Sequence, residues 1–98
     1  MKKSELVQSL YEHLKENGFS ALRPADLREA VDRILGLLAD ALVAGERIEL
    51  RDFGVFRLHD RPARQGRDPR TGESVAVPAR KRLHFKASRE MRARVDHG

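Results

Sequence analysis

Residues 47–58 read R47-I-E-L-R-D-F-G-V-F-R-L58, and within them the hydrophobic period of the chain changes. Arg47-Ile48-Glu49-Leu50 alternates charge with aliphatic side chain, and Val55-Phe56-Arg57-Leu58 resumes the alternation after Asp52-Phe53-Gly54. A period of two is the mark of a half-buried strand, so the stretch predicts two antiparallel strands joined by a tight turn.

Upstream the period is that of a helix. Leu6, Val7, Leu10, Tyr11 and Leu14 recur at i, i+3, i+4 spacing after Ser4, the expected cap, and Asn17-Gly18 ends this first helix. A longer helix opens at Arg23-Pro24-Ala25-Asp26, where Pro24 suits a first turn and Asp26 with Glu29 has capping-box spacing. Its stripe of Leu27, Ala30, Val31, Ile34, Leu35, Leu38, Ala41 and Leu42 is closed by Gly45. Leu37 and Val43 widen the stripe around the helix, as expected where two subunits share a core.

Downstream the apolar residues stop at Leu58 while extended character continues to a turn at Gly66-Arg-Asp-Pro-Arg-Thr-Gly-Glu73. The local reading is a β-turn, with Pro69 presetting φ and Asp68 bonding the backbone ahead of it. Val75 to Val77 alternates weakly, and Leu83-His84-Phe85 brings back bulky apolar residues. Residues 60–82 therefore read as a hairpin arm, its outgoing strand reaching roughly 30–35 Å. A two-stranded ribbon of like charges is marginal alone and should move until something anionic holds it. A last helix is expected from Ser88, its cap, to about Val95, docking through Met91 and Val95. The parts are a helical segment 1–46, body strands 47–59 and 83–86, the arm 60–82 and a C-terminal helical segment 87–98, making one α+β domain.

The formal charge of +5 is unevenly spread: residues 1–56 carry net −2, residues 57–86 net +6 and the remainder +1. A basic excess confined to a Pro/Gly-punctuated arm points to a polyanionic partner. With no cysteine, disulfides and thiolate metal sites are excluded and a reducing cytoplasm is the natural setting. His13, His59, His84 and His97 are scattered without metal-ligand spacing, and no Gly-rich phosphate loop occurs, so neither catalytic residues nor a metal or other cofactor is expected. The Asp52-Phe53-Gly54 string lacks every companion a kinase needs. An interaction module docking an acidic protein or an anionic lipid surface is the competing class, but the arm has no apolar face for membrane insertion. No membrane or small-molecule partner is expected.

Lys3-Ser4-Glu5-Leu6, Gly45 to Arg51, Phe53-Gly54-Val55-Phe56, Gly66 to Gly72 and His84-Phe85-Lys86, in this order, resemble the HU and integration host factor family of bacterial nucleoid-associated proteins. The family is itself a standard example of minor-groove DNA bending. The resemblance implies an intertwined dimer with a helical dimerisation body, and an antiparallel sheet extended into arms that embrace double-stranded DNA. It implies a cytoplasmic, nucleoid-associated role in DNA organisation, transcription and recombination. A proline at each arm tip, here Pro69, is implied to wedge between base pairs, a task its compact ring without N–H can perform while neighbouring arginines hold phosphate. Together with the local basic excess, the resemblance assigns DNA contacts to Lys3, Arg47, Glu49, Arg51, Arg57, Arg61, Arg64, Arg67, Pro69, Arg70, Arg80, Lys81, Arg82 and Lys86. Arg47 to Arg51 is most similar to the β-type subunit of integration host factor, where Glu holds an Arg that reads a preferred site. That implies either a homodimer or pairing with an α-type chain; a non-sequence-specific, HU-like homodimer is the alternative. The chain departs from the family pattern at Asp68 (usually Asn), Asp52 (usually Gly), Leu83 (usually Pro) and Ala87-Ser88.

Overall fold

The computed structural model describes every residue from Met1 to Gly98. The chain forms two compact units, Met1–Asp40 and Ala41–Gly98. Helices α1 (Lys3–Glu16) and α2 (Pro24–Val43) are followed by strands β1 (Ile48–Leu50), β2 (Gly54–Arg61), β3 (Arg64–Arg67), β4 (Ser74–Val77) and β5 (Arg80–Ala87), then α3 (Arg89–His97).

The helix ends follow from local chemistry, with two corrections to the sequence expectation. Ser4 lies inside α1; the cap position is Lys2, which supplies no side-chain bond. At the start of α2, Asp26 reaches back from the first turn to accept the Arg23 N–H at 3.0 Å. Glu29 takes no part in that cap and instead meets Arg33 at 3.0 Å. The Arg23 guanidinium and N–H hold the Asp26 carboxyl below its ordinary range. This support is present above the ordinary carboxylate pKa and is lost as pH falls through the lowered one. Both helices end in the same left-handed closure. Gly18 (φ +90°) and Gly45 (φ +85°) turn the chain so that Phe19 N–H reaches Leu14 O and Glu46 N–H reaches Ala41 O, each at 2.9 Å.

In the first unit Val7 of α1 meets Leu27 and Val31 of α2, flanked by Leu10, Tyr11 and Leu14. These three are the only buried residues of the helical pair, while Ile34, Leu35 and Leu37 stay exposed, Leu37 by 69%. So small a core cannot offset the conformational entropy of ordering the chain. The stripe on α2 thus leaves apolar surface that this chain does not bury.

In the second unit β1, β2 and β5 form an antiparallel sheet in the order β1-β2-β5. Phe53, Phe56 and Phe85 cluster at its turn end, the closest ring centroids being 4.6 Å apart. The connecting turn puts Asp52 at φ +66°, the left-handed region that favours glycine. Gly54 has no room for a side chain: a Cβ there would lie 2.5 Å from Phe85 Cε1 and 2.6 Å from the Lys86 carbonyl oxygen. Ser88 caps α3 as expected, its hydroxyl accepting the Met91 N–H at 3.0 Å. The expected docking of α3 holds in part, for Met91 is half-buried but Val95 is 74% exposed, and so contributes little packing within this chain.

Pairing of β2 with β5 runs through Arg61 opposite Arg80, two residues farther on β2 and three farther on β5 than the expected body. The ladder then lapses and resumes at Arg64 opposite Val77 in the same register, so Pro62 and Ala63 stand across from Ala79 and Pro78. Neither proline has an N–H to donate, which removes ladder bonds from both sides of the ribbon. Beyond the lapse, β3 and β4 form a separate two-stranded sheet.

Two substitutions test the turn at constant protein concentration. Gly54→Ala is expected to lower stability by about 1–3 kcal/mol, the usual cost of forcing a group into filled space. Asp52→Gly should raise it by about 1 kcal/mol through relief of the left-handed backbone. Urea unfolding midpoints of both variants check the pair of signs.

Candidate nucleic-acid interface

Directly opposed residues in an antiparallel sheet project to the same side, so the register sorts the side chains. The pairs Val55–Lys86, Arg57–His84, His59–Arg82 and Arg61–Arg80 lie on one face, and Glu49, opposite Val55, joins them. Arg47, one alternation before Glu49, meets that carboxylate at 3.7 Å. The other face carries Ile48, Leu50, Phe56, Leu58, Leu83 and Phe85. The three-stranded sheet is thus an apolar layer backed by a cationic one, with Arg47, Arg57, Arg61, Arg80, Arg82 and Lys86 together.

The alternation does not put Lys81 with them. It pairs with Asp60 on the apolar side, because successive residues of a strand point oppositely, so the register sets it apart from the other basic residues of the sheet. Lys3 belongs to the helical unit, where its ammonium lies 2.6 Å from Asp32 Oδ1. Arg51 sits in the β1–β2 turn and lines an open concavity of about 550 Å³ with Arg47, Glu49 and Lys86. Arg89 and Arg92 of α3 line the same hollow. The sequence reading missed both, though their i, i+3 spacing just after the Ser88 cap placed them on one side of a helix start.

At the arm tip the expected turn forms with a wider span than four residues: Gly72 N–H reaches Asp68 O at 2.7 Å, an i to i+4 closure, and Asp68 N–H reaches Glu73 O at 2.9 Å. Asp68 Oδ1 accepts the Arg70 N–H at 2.8 Å, as its place in the sequence suggested. Gly72 adopts φ +73° and Thr71 Oγ1 accepts the Glu73 N–H at 3.2 Å. The Arg67 guanidinium donates to the Gly72 carbonyl at 2.9 Å, bracing the loop from the strand. Pro69 and Arg70 are exposed at the apex of this braced loop. Arg64 stands opposite Val77 on the neighbouring strands.

Such a surface recognises polyanions by charge; nothing in it assembles a nucleophile, an acid–base pair or a metal-ligand group. No helix is long and apolar enough to cross a membrane.

Comparison with known proteins agrees with this chemistry. Residues 1–96 match the family model described as bacterial DNA-binding protein. The chain is 48% identical to the integration host factor subunit beta of Methylococcus capsulatus, covering 98% of this chain and 96% of that one. It is 49% identical to the corresponding subunit of Dechloromonas aromatica, covering 98% and 97%. Among solved structures it superposes on an Anabaena HU–DNA cocrystal structure with a TM-score of 0.79 and 27% identity, covering 97% of each chain. Along essentially its whole length the chain belongs to the HU and integration host factor family of bacterial DNA-binding proteins, architectural dimers that are not enzymes.

Proposed function

We propose that this protein bends double-stranded DNA by laying the cationic face of its sheet on the phosphate backbone and extending its arm along the minor groove, where Pro69 enters a base step. The observation that carries the reading is the β2–β5 register, which collects the basic side chains on one face and leads the same ribbon to a braced tip ending in proline. Phosphate contacts supply affinity and position, and an apolar wedge makes the bend by holding one base step open. The rigidity of the tip matters here: a loop tied by five hydrogen bonds can transmit force to Pro69 that a floppy loop would dissipate.

Within this reading Arg47, Glu49 and Arg51 discriminate between sites. The Glu49 carboxylate beside Arg47 restrains the guanidinium, so its fit depends on local groove geometry, a form of shape readout. High similarity to β subunits supports pairing with a related α-type chain, and a homodimer is the other assembly. The setting is the nucleoid, and the bend serves DNA compaction, transcription and recombination.

Three measurements check the proposal. If on the order of eight phosphates are neutralised per dimer, log K should fall against log salt with a slope near −7, and each lost contact should reduce that slope by about 0.9. A flat dependence excludes the cationic face as the contact. Pro69→Ala should retain most of the salt-dependent affinity yet lower end-to-end energy transfer at saturation on a labelled duplex of about 35 base pairs. Equal transfer would assign Pro69 to the turn alone. Glu49→Ala should cut the preference between selected and random DNA by roughly 1–3 kcal/mol, read by competition binding.

A further inference from the structure

Two histidines stand in the middle of the cationic face. His59 of β2 and His84 of β5 are diagonal neighbours, their rings stacked at a centroid distance of 4.9 Å and an interplanar angle of 27°. His59 is half-buried and His84 exposed. The charged groups that share this face of the sheet with them are Arg57 and Arg61 from β2, Arg80, Arg82 and Lys86 from β5, and Arg47 with Glu49 from the β1 side. Asp60 and Lys81 project from the opposite face. One carboxylate, already engaged by Arg47, faces six cations, so a proton on either ring has almost no compensating charge within the sheet.

In the free protein this cationic surrounding disfavours a proton on His59. Partial desolvation, followed by the charges of Arg57, His84 and Arg61, lowers the His59 pKa from its ordinary value. Phosphate oxygens brought against the same face reverse the sign of the local field and supply acceptors for an imidazolium N–H. Two imidazolium rings in stacking contact repel, so the first proton opposes the second.

We propose that His59 and His84 form a proton-binding site that fills as DNA docks, so that each cationic face in the complex holds about one proton more than it does free. The inference rests on the cationic face being the DNA-binding surface. Its sign follows from linkage. The bound state takes up a proton between the pKa values of the free and bound protein, so affinity rises as pH falls through that window and is insensitive to pH above it. The site acts as a graded amplifier of DNA binding on mild acidification, distinct from the permanent charge of the arginines.

The test is titration calorimetry of the intact dimer with a duplex of about 35 base pairs, at pH 6.3 and pH 8 and fixed salt, in two buffers of different ionisation enthalpy. Wild type should take up between about half and one proton per cationic face at pH 6.3 and close to none at pH 8. The H59Q/H84Q double variant should lose the uptake and the pH dependence of its affinity. Imidazole resonances of the wild-type protein, followed by NMR with and without DNA, provide a readout that needs no variant. His59 or His84 should titrate at higher pH in the complex, whereas His13 and His97 should not account for the uptake. Binding at pH 8 without uptake at pH 6.3, uptake undiminished in a folded double variant, or unchanged His59 and His84 titration would each overturn the proton site. Absence of DNA binding at both pH values would instead overturn the interface on which it rests.

Discussion

Eight cross-strand pairs, from Gly54–Ala87 to Arg61–Arg80, fix which side of the sheet each residue occupies, and the rest of the molecule depends on that register. A shift of one residue would exchange Phe56, Leu58, Leu83 and Phe85 with Arg57, His59, Arg82 and Lys86, placing cations in the apolar layer. The aromatic cluster resists the slip from one side. Gly54 resists it on the same face, because only a residue without Cβ fits beneath Phe85 and the Lys86 carbonyl. Packing of the apolar face thus sets the geometry of the cationic face.

The same economy explains the small core. The only buried hydrophobic side chains are Val7, Leu27 and Val31, and large apolar side chains remain uncovered in both units: Leu37 in the first, Val43, Phe53 and Leu83 in the second. A monomer with this much exposed aliphatic surface is not a stable end point; its folding is completed by association, as in the dimers of its family. Association also doubles the number of cationic faces and arms. Stability and function are then met by one assembly step.

Between sheet and tip, the arm combines a lapse with a brace. Pro62 and Pro78 interrupt the ladder without disturbing its register, while the loop from Asp68 to Glu73 is tied by its own side chains. The chain thereby keeps a defined apex on a ribbon whose middle lacks ladder bonds. Asp68 shows how a departure from the family pattern is accommodated: its carboxylate serves the turn by accepting the Arg70 N–H. Asp52 shows the opposite case, a side chain placed where the backbone favours glycine.

Periodicity in the sequence determined the helices, the change to strands at Arg47, the arm and the turn at Pro69, because each depends on spacing between near neighbours and on residues with narrow φ preferences. Concentration of basic residues between Arg57 and Lys86 likewise made the polyanionic partner legible without coordinates. Helix starts were less legible: Ser4 and Glu29 have capping residue types, yet the chain begins α1 two residues earlier, with Lys2 at the cap position, and ties α2 through Asp26 and Arg23. What only the tertiary structure decided was partnership across strands. Strand order and register, which rest on contacts between residues distant along the chain, separated Lys81 from the other cations, stacked His59 on His84, and joined Arg89 and Arg92 to the hollow lined by Arg47 and Lys86. Alternation within one strand says that two faces exist, but which residues of a distant strand share a face is settled only when the backbones pair.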